Sequence, residues 1–200
     1  AYEIGACDWS SDVCSSDLAR LQDANPTLVV WPPVDGQDIP PAFFEESPDP
    51  LPDYSVSGYP VSVLFNPYDV QTAGVSRFEI YRVANDTKID HTLLLNEHTD
   101  PVGRLDGLQY VLFPLERLDW NRRYRVELDY SQDGIPHGKT WTFTTRDLGM
   151  PIYTMHNGDT LDVTDGTTFA AYIPPSEAYP TLSDAGGIRW RYLGMSVDNE

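Results

Sequence analysis

"RRYRVELDYSQDGIPHGKTWTFTT", Arg122 to Thr145, decides the fold of this chain. Tyr124, Val126, Leu128 and Tyr130 alternate with Arg123, Arg125, Glu127 and Asp129. A period of two is that of a β-strand with one dry and one wet face. Asp133-Gly134 follows, and these residue types tolerate the positive φ of a tight hairpin turn. The chain then returns through Lys139–Thr145, bringing Trp141 and Phe143 beside the apolar face. The stretch predicts an antiparallel hairpin with Tyr124, Trp141 and Phe143 in the core. Tyr124, leading its strand into the sandwich, is placed to bury its ring and return its hydroxyl to nearby backbone as a tyrosine corner.

The same alternation extends upstream. "TLVVW" at Thr27–Trp31 suits a first strand, with Trp31 assigned to the core, and "YPVSVLFN" at Tyr59–Asn66 a second. From Val75, Phe78 and Ile80 alternate with Arg77, Glu79 and Tyr81; Asn85-Asp86 gives a turn. Ile89, His91, Leu93 and Leu95 continue as one strand, placing His91 semi-buried at a sheet edge. Leu108–Phe113 is a short buried strand. Residues 26–60 hold nine of the seventeen prolines, which fix φ and lack an amide proton, so this stretch is expected as extended edge and loop. No segment keeps a 3.6-residue apolar period. Seven short strands therefore predict an all-β, Ig-like or fibronectin-III-like antiparallel sandwich over residues 26–146, preceded by a linker at 19–25. Strand patterning restarts at Leu161 and Val163, "TTFAAYIPP" and "IRWRY", so 147–200 is expected to begin a second β unit.

Leu112–Thr145 resembles the closing half of bacterial Ig-like domains, with Pro114, Leu118, Tyr124, Gly134 and Phe143 in the positions of that pattern. "PPAFFEESPDPLPDYSVSGYPVSVLFN" together with "YVLFPLERLDWNRRYRVEL" is similar to the region that follows the CAP domain in some bacterial secreted proteins of the cysteine-rich secretory protein group. That resemblance covers residues 27 to about 195. It implies an extracellular or periplasmic accessory region, neighbouring domains of the same chain as partners, and no catalytic residue. Residues 1–18 resemble something else: "DWSSDVCSSDL" is similar to a translated frame of a high-throughput sequencing adapter, and residues 1–18 are excluded from the fold on that ground. The natural chain is then expected to be longer than this one.

Both cysteines, Cys7 and Cys14, lie in the excluded stretch, so the rest offers no disulfide framework, thiolate metal site or cysteine nucleophile. Glu3, Asp8, Asp12 and Asp17 leave with it, taking the formal charge from −18 to −14. Thirteen basic residues against thirty-one acidic ones argue against nucleic acid, whose binders neutralise phosphates with clustered Lys and Arg. No apolar run is long enough for a membrane helix.

His91, His98, His137 and His156 are scattered and lack zinc-motif spacing. Two acidic strips are candidate calcium ligands: Glu45, Glu46, Asp49 and Asp53, and Asp159, Asp162 and Asp165. Neither has the spacing of an EF-hand loop, and a solvated acidic face is the expectation. No serine sits in a nucleophile motif, so no catalytic, metal or cofactor residue is assigned. Tyr54, Tyr59, Tyr68, Trp120 and Tyr179 fall in expected loops or strand ends and are candidate contacts for an extracellular glycan or protein. The sequence thus predicts a non-catalytic spacer or interaction module. The alternatives are a carbohydrate-binding module and an accessory segment of an extracellular hydrolase.

Overall fold

The computed structural model describes residues 25–44, 47–156, 158–164 and 166–172. Residues 1–18, Glu45, Glu46, Asp165, Tyr179 and the "IRWRY" segment lie outside the described residues. Those described form an all-β sandwich with thirteen strands. These are β1 (Leu28–Trp31), β2 (Gly36–Ile39), β3 (Ala42–Phe44), β4 (Val56–Gly58), β5 (Val61–Phe65), β6 (Ala73–Arg82) and β7 (Thr87–Lys88). Then come β8 (Thr92–Leu95), β9 (Gln109–Pro114), β10 (Arg123–Gln132), β11 (Ile135–Thr145), β12 (Ile152–Thr154) and β13 (Ala170–Tyr172).

One sheet runs β1-β5-β9-β8 and the other β2-β11-β10-β6-β7. With β1, β5, β6, β8, β9, β10 and β11 in the places of strands A, B, C, D, E, F and G, this is the strand order of an Ig sandwich. The two sheets pair antiparallel throughout except where β2 joins β11 in parallel. β10 and β11 form the expected hairpin, in register from Arg123↔Thr144 to Gln132↔Ile135. Its two-residue turn needs positive φ at both positions, met by Asp133 at 48° and Gly134 at 81°.

Inward residues of the two sheets make one core: Val61, Val63, Phe65, Ile80, Leu112, Tyr124, Val126, Leu128, Trp141 and Phe143 are all buried. Each such aliphatic or phenyl side chain contributes roughly 1.5–3 kcal/mol on removal from water. Trp141 solves its polar requirement by donating Nε1–H to the Pro32 carbonyl at 3.0 Å. Tyr124 stacks on Phe143 at 5.5 Å and accepts the Asp119 backbone N–H at 2.9 Å. Burial pushes its hydroxyl up to about 12. Tyr124→Phe is expected to keep the fold and lose about 1 kcal/mol, because the Asp119 amide loses its acceptor. An unchanged urea midpoint would show that water replaces the hydroxyl without cost.

Trp31 is a correction to the sequence reading. It is 44% exposed, because the period of β1 turns Leu28 and Val30 toward the core and Val29 and Trp31 out. The strand expected over Ile89–Leu95 begins only at Thr92. β7 belongs to the five-stranded sheet and β8 to the other, so the chain changes sheets at Ile89–His91 and leaves the His91 side chain 76% exposed. Leu94 consequently packs on the main core, while Leu95 joins a second cluster. Beyond the sandwich, β12 and β13 pair in parallel, whereas Leu161 and Val163 lie in no strand.

That second cluster is the less expected feature. The proline-rich segment folds back as β3 and β4 over the outer face of the four-stranded sheet, burying Leu51, Leu95 and Phe113. Phe43 meets Phe113 edge-on at 5.5 Å. The approach is close: a Cβ added to Gly58 would lie 2.6 Å from Pro114 Cβ. A face that would otherwise be wet is thereby made a second small core.

Candidate functional site

The chain enters and leaves the sandwich at opposite poles. At the proximal pole, the Asn66 N–H donates to the Thr27 carbonyl at 2.9 Å, just before β1. The loop that follows Asn66 is held to the tip of the β10-β11 hairpin, where the Asp133 carboxylate accepts the Gln71 and Thr72 N–H groups at 3.0 and 2.8 Å. The distal pole lies at the other end of that hairpin. There Thr145 Oγ1 donates to the Asp119 carbonyl at 2.6 Å, Asn121 N–H to the Arg146 carbonyl at 2.9 Å, and Asn121 Nδ2 to Asp147 at 2.8 Å. Arg146 pairs with Asp38 at 2.8 Å. The outgoing chain is therefore fastened to the β9–β10 connection, through Asp119 and Asn121, and to Asp38 of β2.

This geometry separates the candidate ligand contacts. Tyr68, 61% exposed, stands at the proximal pole, and its N–H donates to Asn66 Oδ1. Trp120 is half-buried at the distal pole, where the Arg117 guanidinium lies 5.9 Å from its ring and 4.0 Å from that of Tyr172. Tyr59 is half-buried against the main core. Tyr54 is partly exposed on the loop between β3 and β4. The structure does not bring Tyr54, Tyr68 and Trp120 onto one platform, and Tyr179 lies outside the described residues.

The wet face of the five-stranded sheet carries an ion-pair ladder. Arg77 bonds Glu127 and Asp129, each at 2.7 Å. Arg125 bonds Asp86 at 2.8 Å and Glu127 at 2.9 Å, with its guanidinium 4.7 Å from the Tyr81 ring centroid. Lys88 bonds Glu79 at 3.2 Å. The Tyr81 hydroxyl, donating to Glu79 at 2.8 Å, holds that carboxyl below its ordinary range against the opposing effect of burial. Such exposed pairs add little stability, commonly about 0–1 kcal/mol each, but they fix register and satisfy the face internally. The alternation of charged residues in β6 and β10 signalled a wet face; the pairing across strands needed the register.

Asp100 is a carboxylate satisfied by backbone amides. It accepts the N–H groups of Val102, Arg104 and Leu105 at 2.9, 2.6 and 3.0 Å. Partial burial pulls its pKa up, yet these backbone bonds outweigh it and hold the group below its ordinary range. A depressed folded-state pKa contributes stability that is present above the unfolded pKa and lost as pH falls through the folded one. Asp100→Asn is expected to cost about 1–2 kcal/mol at neutral pH and less in acid, where wild-type Asp100 is protonated too. Urea melts at about pH 7 and about pH 2.5 check this; an equal deficit at both would rule out the charge.

Among the described residues, no three His, Cys, Asp or Glu side chains gather as a metal-holding group. Asp159, from the second acidic strip, instead accepts the His156 N–H at 2.7 Å. No described helix is long and apolar enough to cross a membrane. Compared with known proteins, the chain matches no family model and no curated protein.

Proposed function

We propose that this chain carries a non-catalytic, Ig-like spacer and interaction module of a secreted bacterial protein of the CAP-domain group, acting outside the cytoplasm. The observation that carries the reading is that the chain enters the sandwich at Thr27 and leaves it at Arg146–Asp147, at opposite poles. A ten-residue ladder at roughly 3.3 Å per residue holds them about 30 Å apart. A neighbour at each end is then kept at a fixed separation, and the tied segment Asp119–Asp147 stiffens the outgoing junction. The extracellular setting and the CAP-domain neighbour rest on the sequence resemblance alone.

The test is affinity electrophoresis of the whole chain in gels containing soluble polysaccharides, with turnover assays on ester, peptide and glycoside substrates. A spacer migrates unretarded in every glycan and turns nothing over. Retardation abolished by Tyr68→Ala or Trp120→Ala would overturn this reading in favour of carbohydrate recognition. Hydrolysis would overturn it in favour of an enzyme.

A further inference from the structure

Where the proline-rich loop crosses the end of strand β8, it leaves a pocket of about 170 Å³. Buried Leu51 and Leu95 adjoin it, together with Pro52, Tyr54, Leu93 and Pro101. Leu93 is 38% and Tyr54 39% exposed, so large apolar side chains stand at a surface that the described residues do not cover. The volume falls below the roughly 300–1,000 Å³ of small-molecule sites and suits one large apolar side chain.

The walls are set before anything binds. Pro50, Pro52 and Pro101 fix φ, and Asp49 Oδ1 accepts the Leu51 N–H at 2.8 Å. Tyr54 N–H donates to the Leu51 carbonyl at 2.9 Å, and Asp100 holds the turn that follows Pro101. A pocket already ordered loses little entropy on binding.

Acidic groups predominate around it, Arg104 beside Asp100 being a nearby cation. Asp53 lines the pocket, Asp49 lies two residues from Leu51, and Asp100, next to Pro101, is held ionised at neutral pH. Among the described residues, no Lys, Arg or His lines it. Such a rim attracts a cationic partner, whereas a second copy of a chain with net charge −18 is repelled. β8 also ends its sheet. The Leu115 N–H donates to the His91 carbonyl, so strand alternation turns the Thr92 amide and carbonyl away from β9, toward the open edge.

We propose that this pocket docks an extended, basic segment of a partner protein, seating one apolar side chain between Tyr54 and Leu93 while its Lys or Arg residues face Asp49 and Asp53. Spacing requires only the two poles, so this dock can fail without affecting the spacer reading.

The probe is a fluorescein-labelled hexapeptide with Leu-Phe at its centre and two lysines on each side, titrated by anisotropy against the whole chain. It is expected to bind. Replacing the lysines with glutamates abolishes binding, and replacing Leu-Phe with Ser-Ser weakens it at least about tenfold. Leu93→Asp and Tyr54→Ala have the same tenfold effect. Asp53→Lys, at an exposed loop position, weakens binding in a way that added salt diminishes. Equal binding of the Ser-Ser peptide, indifference to all three substitutions, or no binding at millimolar peptide overturns the proposal. So does a dimer in sedimentation that Leu93→Asp dissociates, because a second copy would then occupy the pocket.

Discussion

Trp141→Ala is expected to remove about 3–5 kcal/mol of stability, a large share of the roughly 5–15 kcal/mol typical of a domain. Trp141 is 2% exposed, its ring lies 6.3 Å from that of Phe78, and its indole N–H satisfies the Pro32 carbonyl. Truncation opens a cavity between the sheets and leaves that carbonyl without its donor. Trp31→Ala should cost less, about 1–2 kcal/mol, because nearly half of Trp31 is already in water. Chemical denaturation of the two variants decides the matter. If the Trp31 variant were the weaker protein, the register of β1 against β5 would be wrong.

Phe113→Ala should be nearly as damaging, at about 3–5 kcal/mol. In an ordinary sandwich, a residue on the outer face of a sheet is wet, and truncating it changes little. Phe113 is 3% exposed because Phe43, Leu51 and Leu95 enclose it. The substitution therefore measures how firmly the proline-rich segment belongs to the fold. A loss below about 1 kcal/mol would mean that the segment lies loosely on the sheet.

The hairpin Arg123–Thr145 was legible because one period of two, one Asp-Gly turn and one returning aromatic pair all specify the same geometry. Trp31 was misplaced for a reason that alternation cannot resolve. In "LVVW" every residue is apolar, so hydrophobicity does not say which alternate pair faces in; the pairing with β5 does. The change of sheet at Ile89–His91 was equally hidden, since Ile89, His91, Leu93 and Leu95 keep one period straight across it. The proline-rich segment read correctly as extended, but nothing in it states that Phe43 and Leu51 meet Phe113 and Leu95. For the candidate contacts, the sequence could mark aromatic residues in loops. It could not say that Tyr68 and Trp120 stand at opposite poles, or that Arg117 packs between Trp120 and Tyr172. The acidic pocket escaped detection because its walls come from residues about forty apart in the chain.

The central claim is that the sandwich holds its two ends apart, and a spin-label distance tests it most directly. With Cys7 and Cys14 replaced by serine, labels at Thr27→Cys and Asp147→Cys are measured by double electron–electron resonance. Both positions are exposed. A single narrow distribution between roughly 25 and 40 Å is expected from the length of the β10-β11 ladder. A distribution centred below about 20 Å would place both ends at one pole and contradict the account.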